Sequence, residues 1–425
     1  MLLATVGAAS ATFLITAALL PALIPLARRS GLLDRPGGRR KHDAPVPAIG
    51  GLAIFLGLAA TSAWFLAPTP QMLGVAAAVV VIVGAGVADD LFRLRWPYRL
   101  SAQILAAILM IYMGGVRIEN LGSLLGMSTH PLGPLSVPLT VVATVGIINA
   151  VNMADGVDGL AGLLVLVSTA MLAAASLYAG NGGLALALAL IAGAVCGFLV
   201  YNLRTPWNPR ARVFLGNAGS ELLGLLLACA SFRLTQNPDH PVGIHVAPFL
   251  LAPVLIDCLT LMIRRVRAGA SPFQGDRNHL HHMLLDAGFP PSRVALTLAG
   301  LSLAIGMTAA LALRAHMPAP AFTLAFVGLC VGHFLATSDR DRFVGQIRGM
   351  GLFVGLVPAP KPLEAWQIAA RAAGAHYRRA DDHPLLVDEP ATVSAETEQG
   401  GVAAALPPQA AQAETSALLE SSSSK

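Results

Sequence analysis

The sequence of 425 residues predicts an all-α polytopic membrane protein of about eleven transmembrane helices, and three observations carry that reading. Hydrophobic residues make up 55% of the chain and charged residues 12%, with mean hydropathy +0.67, more apolar surface than soluble domains of ordinary size can hide. Apolar runs of about 20 residues, enough for a helix to cross a bilayer, recur from Leu2 to Ala336. Cys196, Cys229, Cys258 and Cys330 lie inside those runs without CxxC or Cys/His spacing, so they imply neither a disulfide framework nor zinc and read as small packing residues.

Charged and Pro/Gly-rich breaks place the helices at 2–27, 49–67, 72–88, 100–115, 137–153, 160–179, 184–201, 217–232, 245–263, 294–313 and 320–336. The first has no basic residue ahead of it and Arg28 and Arg29 behind it, so it is expected to stay as a span rather than be cleaved as a signal. Loops rich in Lys and Arg stay cytoplasmic. With the N-terminus outside, the inward loops 28–48, 89–99, 202–216 and 264–293 hold 6, 3, 3 and 5 basic residues and the tail holds 8, which is 25 of the 28. The outward connections keep Arg117, Arg233 and Arg314, so an N-out, C-in arrangement is expected. The tail from Thr337 carries net −3 and the membrane part net +8, a balance that attracts anionic lipid and substrates, although a topology signal explains most of it. The expected organisation is a transmembrane domain at 1–336, a cytoplasmic juxtamembrane segment at 337–380 with an interfacial helix near 362–379, and a disordered tail at 381–425. The absence of a visible internal repeat disfavours common transporter architectures.

The few acids of the membrane part fall at one set of helix ends. Asp89 and Asp90 close the third span, and Asp155 and Asp158 follow the fifth. Asn217, Ser220 and Glu221 open the eighth, and Asp276, Arg277, His279, His281 and His282 follow the ninth. A transporter needs polar groups near the midplane or reachable from both sides, whereas one interfacial cleft suits an enzyme joining a lipid headgroup to a soluble cosubstrate. Adjacent carboxylates repel, so Asp89 and Asp90 offer a base or a cation site; equally, such a pair can be a solvated helix end. The run 149–162 is more specific: Gly156, Gly159 and Gly162 let backbone approach a ligand, and Asn149, Asn152, Asp155 and Asp158 suit a nucleotide or Mg²⁺. The segment 216–220 offers free N–H groups to a diphosphate or serves as an ordinary N-cap. The three histidines beside Arg277 fit phosphate contact better than zinc, no cysteine being near. Glu221 and Asp257 lie inside spans, where an ionisable group is costly, and Asp257 is expected to pair with an arginine. Arg39, Arg40, Lys41 and His42 put cations at headgroup level, which positive-inside anchoring also explains.

Taken in order, these segments resemble the polyprenyl-phosphate N-acetylhexosamine-1-phosphate transferase family of integral-membrane enzymes. The likeness spans about residues 28–289: Lys41 and His42 with Pro45, Gly50 and Gly51; Asp89 and Asp90 with Arg99 and Gln103; 149–162; 214–224; and Ser271, Pro272 and Phe273 with 276–282. It implies transfer of a sugar 1-phosphate from a UDP-sugar to undecaprenyl phosphate with release of UMP, Mg²⁺ or Mn²⁺ as cofactor, and a bacterial inner membrane. Such a step begins the membrane stage of a cell-surface polysaccharide. On that reading Asp89 is the catalytic base toward the acceptor phosphate and Asp90 supports it. Asn152, Asp155 and Asp158 hold the uridine end, Asn149 is among the substrate-binding residues, Arg277, His279, His281 and His282 grip the donor diphosphate or sugar, Lys41 and His42 lie against phosphate, and Asn152, Asp155 and Asn217 serve the metal. Phosphoryl transfer asks chiefly for positioning and charge neutralisation, which this set supplies. The His-x-His-His form is similar to the WecA/TagO branch rather than the three consecutive histidines of the MraY branch, which implies UDP-GlcNAc or a related donor over the muramyl-pentapeptide one. One position departs from the pattern: Asn217 stands where the family has a metal-binding Asp, which drops one charge and predicts a weaker metal site. The implied partners are undecaprenyl phosphate, a UDP-N-acetylhexosamine and membrane lipid; a homodimer is compatible and nucleic acid is not implied. The competing readings are a transporter or flippase of lipid-linked sugars and a catalytically impaired scaffold.

Overall fold

The structure is a computed structural model that describes residues 2–34, 45–123, 131–237, 239–271 and 276–358. Its helices are α1 (Leu2–Ser30), α2 (Gly50–Phe65), α3 (Pro70–Phe92), α4 (Trp96–Tyr112), α5 (Ser136–Ala154), α6 (Leu160–Tyr178), α7 (Gly182–Asn202), α8 (Gly216–Thr235), α9 (Ala247–Leu250), α10 (Ala252–Arg267), α11 (Leu280–Asp286), α12 (Pro291–Arg314), α13 (Ala319–Ala336) and α14 (Arg340–Phe353). Each apolar run of the sequence is therefore helical. Eight helices, α1, α3, α5, α6, α7, α8, α12 and α13, are long and apolar enough to cross a bilayer by length and composition. Helices α2, α4 and α10 have 16, 17 and 16 residues. At 1.5 Å per residue they cover about 24–26 Å of a core about 30 Å thick. The protein is thus an all-α polytopic membrane protein, its only described sheet being the antiparallel two-residue pair β1 (Leu33–Asp34) and β2 (Val46–Pro47). Lys41, His42, the segment 362–379 and the tail 381–425 lie outside the described residues.

Local chemistry sets several boundaries. Thr69 caps α3 by accepting from the Met72 N–H, with Pro70 in the first turn where a missing N–H costs nothing. Asn181 and Asp339 cap α7 and α14 in the same way. The ninth run is interrupted: Leu251 leaves the helical region (φ −119°, ψ 12°), and Pro253 has no N–H to continue a bond to the preceding turn, so the run splits into α9 and α10.

Helix α8 has the lowest mean hydropathy of the eight, 1.2, yet 89% of its most apolar window is buried inside the protein, against 6% for α13. It is the central helix, packed against α2, α3, α5 and α6, so that Ser220, Glu221, Ser231 and Thr235 meet protein rather than lipid. Helix α13 turns Leu324, Val327, Val331 and Leu335 outward, as lipid contact requires.

The N-terminal end of α8 is wedged between α2 and α3 by absent side chains. A Cβ on Gly51 would stand 2.1 Å from the Gly219 nitrogen, and one on Gly86 would stand 2.3 Å from the Ala218 Cα. The backbone N–H groups of Gly50 and Gly51 donate to Phe214 O (2.9 Å) and Leu215 O (2.8 Å), sewing the start of α2 to the approach to α8. Gly51→Ala is expected to destabilise the protein by about 1–3 kcal/mol, the usual cost of overpacking a filled site. Thermal unfolding of the detergent-solubilised protein checks this; an unchanged midpoint would show that the two helices can part there at no cost.

Candidate active site

Four helix ends meet: the last turn of α3, the first two turns of α4, the last turns of α5 and the first two turns of α8. The adjacent acids Asp89 and Asp90 point about 100° apart on α3, and so they meet different partners. Asp89 is 6% exposed, and its Oδ2 lies 3.3 Å from Arg99 Nε. This is a charge contact rather than an aligned hydrogen bond, since Nε is buried without a hydrogen-bond partner. Arg99 Nη2 lies 3.6 Å from Glu221 Oε1 and donates to Asn152 Oδ1 at 3.3 Å. One guanidinium therefore serves two buried carboxylates.

A relay of amides completes the buried side. Asn149 Nδ2 donates to Gln103 Oε1 (2.7 Å), and Gln103 Nε2 donates to Glu221 Oε1 (3.0 Å). With a charge and a hydrogen bond supplied, Glu221 is held deep in the bundle at 1% exposure.

Asp90 does something else. Its Oδ1 accepts from the backbone N–H and the side-chain Nδ2 of Asn217, both at 3.0 Å, and its Oδ2 accepts from the Ala218 N–H at 3.3 Å. Helix α8 has no side-chain cap of its own, so an acid from α3 caps it from outside, where a negative charge also suits the positive helix end. Asn217 is thereby committed at both ends of its amide: Nδ2 donates to Asp90, and Oδ1 accepts from Asn152 Nδ2 (3.1 Å), which also donates to Ser220 Oγ (2.8 Å).

The segment after α5 carries Asp155, exposed at the C-terminal cap, and Asp158, which forms a 2.6 Å ion pair with Arg204. Gly159 adopts φ +80° and donates its N–H to Asn202 Oδ1 (2.8 Å), fixing the turn that aims the segment. Gly156 rests against the His281 ring: a Cβ there would stand 2.4 Å from Nε2. The run 149–162 therefore touches both the carboxylate group and the histidines.

Asp257 of α10 pairs with histidines, not with the arginine expected from the sequence. Its Oδ2 meets His279 Nδ1 at 2.8 Å, its Oδ1 accepts the Leu280 N–H at 2.9 Å, and His333 Nε2 lies at 3.7 Å. Arg264, the nearest arginine in sequence, donates to Phe334 O (2.7 Å) and Thr337 Oγ1 (2.9 Å), and Arg265 donates to Asp276 Oδ2 (2.8 Å). The rings of His279 and His281 stack with centroids 5.4 Å apart, and His282 lies 4.3 Å from His281. Burial first, and then the neighbouring His282 and His279, push His281 down to about 3, so it is neutral at physiological pH. Burial and then the charge of Arg277 also lower His282. Burial would raise Asp276, but its bonds from Arg265 and the Asn278 N–H outweigh that and hold it below the usual carboxylate range. Arg277 is exposed and lies 3.7 Å from Asp286, which also pairs with Arg340 of α14. A cleft beside these histidines is lined by Ala150, Met153, Asp257, Cys258, Leu280 and His281.

Of the residues singled out in the sequence, Asp89, Asp90, Asn149, Asn152 and Asn217 form one connected network, and His279, His281 and His282 form a second group beside the 155–159 loop. Arg99 and Gln103 lack a role of their own in the sequence reading, whereas Glu221 and Asp257 stand out there as acids inside spans, without the partners the structure gives them. Arg99 and Gln103 do carry a signal, being two polar residues four apart on a largely apolar helix. The carboxylate and amide oxygens of the first group are hard donors that fit Mg²⁺, which binds one or two protein carboxylates and otherwise takes water and substrate phosphate.

The family model for glycosyl transferase family 4 matches residues 72–235, from α3 through α8. Among curated relatives, undecaprenyl-phosphate alpha-N-acetylglucosaminyl 1-phosphate transferase of Escherichia coli (strain K12) is 33% identical over 282 residues, covering 66% of this chain and 76% of the relative. The proteins of the same name from Haemophilus influenzae and Yersinia pestis are 35% identical over 281 residues and 33% identical over 293. They cover 65% and 69% of this chain, and 78% and 80% of the relatives. With its ordered helix-end network and a likeness running through most of these relatives' length, the chain belongs to glycosyl transferase family 4.

Proposed function

We propose that the protein transfers N-acetylhexosamine 1-phosphate, and specifically GlcNAc 1-phosphate, from a UDP-sugar to undecaprenyl phosphate and releases UMP. The observation that carries this reading is the buried Asp89 beside Arg99, at the same helix ends as Asn152, Asn217 and Ser220. Asp89 takes a proton from the acceptor phosphate or orients it. The acceptor oxygen then bonds to the donor's β-phosphorus, the bond from that phosphorus to the bridging oxygen breaks, and UMP leaves with the electron pair. Arg99 balances the charge that gathers there. Asn152, Asp155 and Asp158 position the uridine end, with Asn149 also facing substrate, and Arg277, His279, His281 and His282 contact the diphosphate or sugar. Asn152, Asp155 and Asn217 would hold Mg²⁺ or Mn²⁺, whose contribution when bound is neutralisation of diphosphate charge. The distribution of Lys and Arg supports an N-out, C-in arrangement with the site facing the cytoplasm of a bacterial inner membrane.

The test is UMP release by the purified protein with undecaprenyl phosphate, Mg²⁺ and a panel of UDP-N-acetylhexosamines. UDP-GlcNAc is expected to be the productive donor. No UMP from any donor at any Mg²⁺ concentration would overturn the reading in favour of a flippase or a scaffold.

Asn217 supplies a second expectation. Its Nδ2 donates to Asp90, so Asn217→Asp sets two carboxylates against each other and turns a hydrogen bond into a repulsion that a cation relieves. The variant is expected to melt lower than the parent without metal, to gain more from Mg²⁺ in thermal unfolding, and to reach half-maximal turnover at lower Mg²⁺. An unchanged or raised Mg²⁺ requirement would remove Asn217 from the metal's ligands.

A further inference from the structure

We propose that Asp257, His279 and His281 form a binding site for a transition-metal dication of the zinc or cobalt class, separate from the oxygen donors that suit Mg²⁺. The three offer one carboxylate oxygen and two imidazole nitrogens, and these atoms all lie within 4.8 Å of one another. Two imidazoles and a carboxylate are the donor set of a borderline cation, whereas Mg²⁺ asks for an octahedron of oxygens.

The donors, within 4.8 Å of one another, must draw together to reach the spacing of a tetrahedral shell. Tetrahedral arms of about 2.0–2.1 Å place neighbouring ligand atoms about 3.3 Å apart. Asp257 Oδ2 and His279 Nδ1 stand 2.8 Å apart with a proton between them. An ion takes the place of that proton and spreads the pair by about half an ångström. His281 brings the third arm: it is 3% exposed and stacks on His279. The frame is fixed, because Asp257 Oδ1 also holds the Leu280 N–H and thereby locks the start of α11 against α10. Three protein ligands leave coordination open toward the cleft lined by Asp257 and His281, so water or a phosphate oxygen completes the shell. Occupancy withdraws His279 and His281 from the donor, making the ion an inhibitor competitive with the UDP-sugar; that consequence, unlike the site itself, rests on the proposed function.

The test reads metal rather than turnover. The full chain, purified in detergent and stripped of metal, is titrated with Co²⁺ in excess Mg²⁺. The expected result is one Co²⁺ per chain, with the intense visible bands of a four- or five-coordinate ion. His281→Gln and Asp257→Asn are expected to weaken binding at least about tenfold, as loss of a ligand should, while Asp89→Asn and Asn217→Ala leave it unchanged. Co²⁺ should also raise the melting temperature of the parent and not that of His281→Gln, which keeps the test open if Asp257→Asn fails to fold. Absence of the bands, their persistence in His281→Gln, or their loss in Asp89→Asn would each overturn the site.

Discussion

Asp89→Asn is expected to lower UMP release by a factor of about 10²–10⁴, the usual contribution of a positioned general base, while leaving the protein folded. The substitution keeps the size of the side chain, Asp89 accepts no hydrogen bond from α8, and Arg99 keeps Glu221 as a counter-charge, so the fold should persist without the Asp89 charge. Asp90→Asn is the informative companion. Both Asp90 oxygens accept N–H groups from the first turn of α8, so an amide there presents a donor where acceptors are needed. Its loss should appear in stability, at about 1.5–3 kcal/mol for a charged hydrogen-bonding group. Turnover and melting temperature measured side by side separate the two roles. Equal losses in both properties for both variants would show that the neighbouring acids act as one unit.

Arg99→Ala is expected to carry the largest stability cost, about 3–5 kcal/mol, because it strands two buried carboxyl groups, Asp89 and Glu221, without their shared cation. Arg99→Ala combined with Glu221→Gln should recover part of that stability, since a neutral side chain at 221 can still accept from Gln103 and no longer needs a counter-charge. Turnover should stay low in the double variant, because Asp89 still lacks its partner. Thermal unfolding and UMP release on the same preparations check both points. A single variant as stable as the parent would mean that solvent already screens these carboxylates.

How much of this is legible in the sequence depends on the range of the interaction. The helices are legible because the bilayer imposes a length of apolar chain, and that length is a local property. The break within 245–263 is legible only in hindsight, since Pro253 lies inside an otherwise continuous apolar run and breaks α9 from α10 without a polar residue to mark it. Asp89 and Asp90 stand out as a rare acidic pair, yet nothing local shows that one faces Arg99 and the other caps α8, about 127 residues away along the chain. Asp257 shows the same limit: an arginine-rich helix end predicts an arginine partner, but the arginines turn to Asp276 and to the end of α13, and the acid meets His279. The short helix α11 is hidden because seven residues give too little periodicity to read.

The glycine contacts around α8 have a bearing on how substrates arrive. Side chains yield by changing rotamer, but the meetings of Gly51 with Gly219 and of Gly86 with Ala218 are main chain against main chain and have no such freedom. That wall of the site is a stiff anvil. Breathing that admits the proposed nucleotide donor is expected beside the histidines, where a glycine-bearing turn rests on a histidine ring and Asp257 holds the start of a short helix. Slow turnover variants are then to be sought at Gly156 and Asp257 by exchange and relaxation measurements, rather than along α2 and α3.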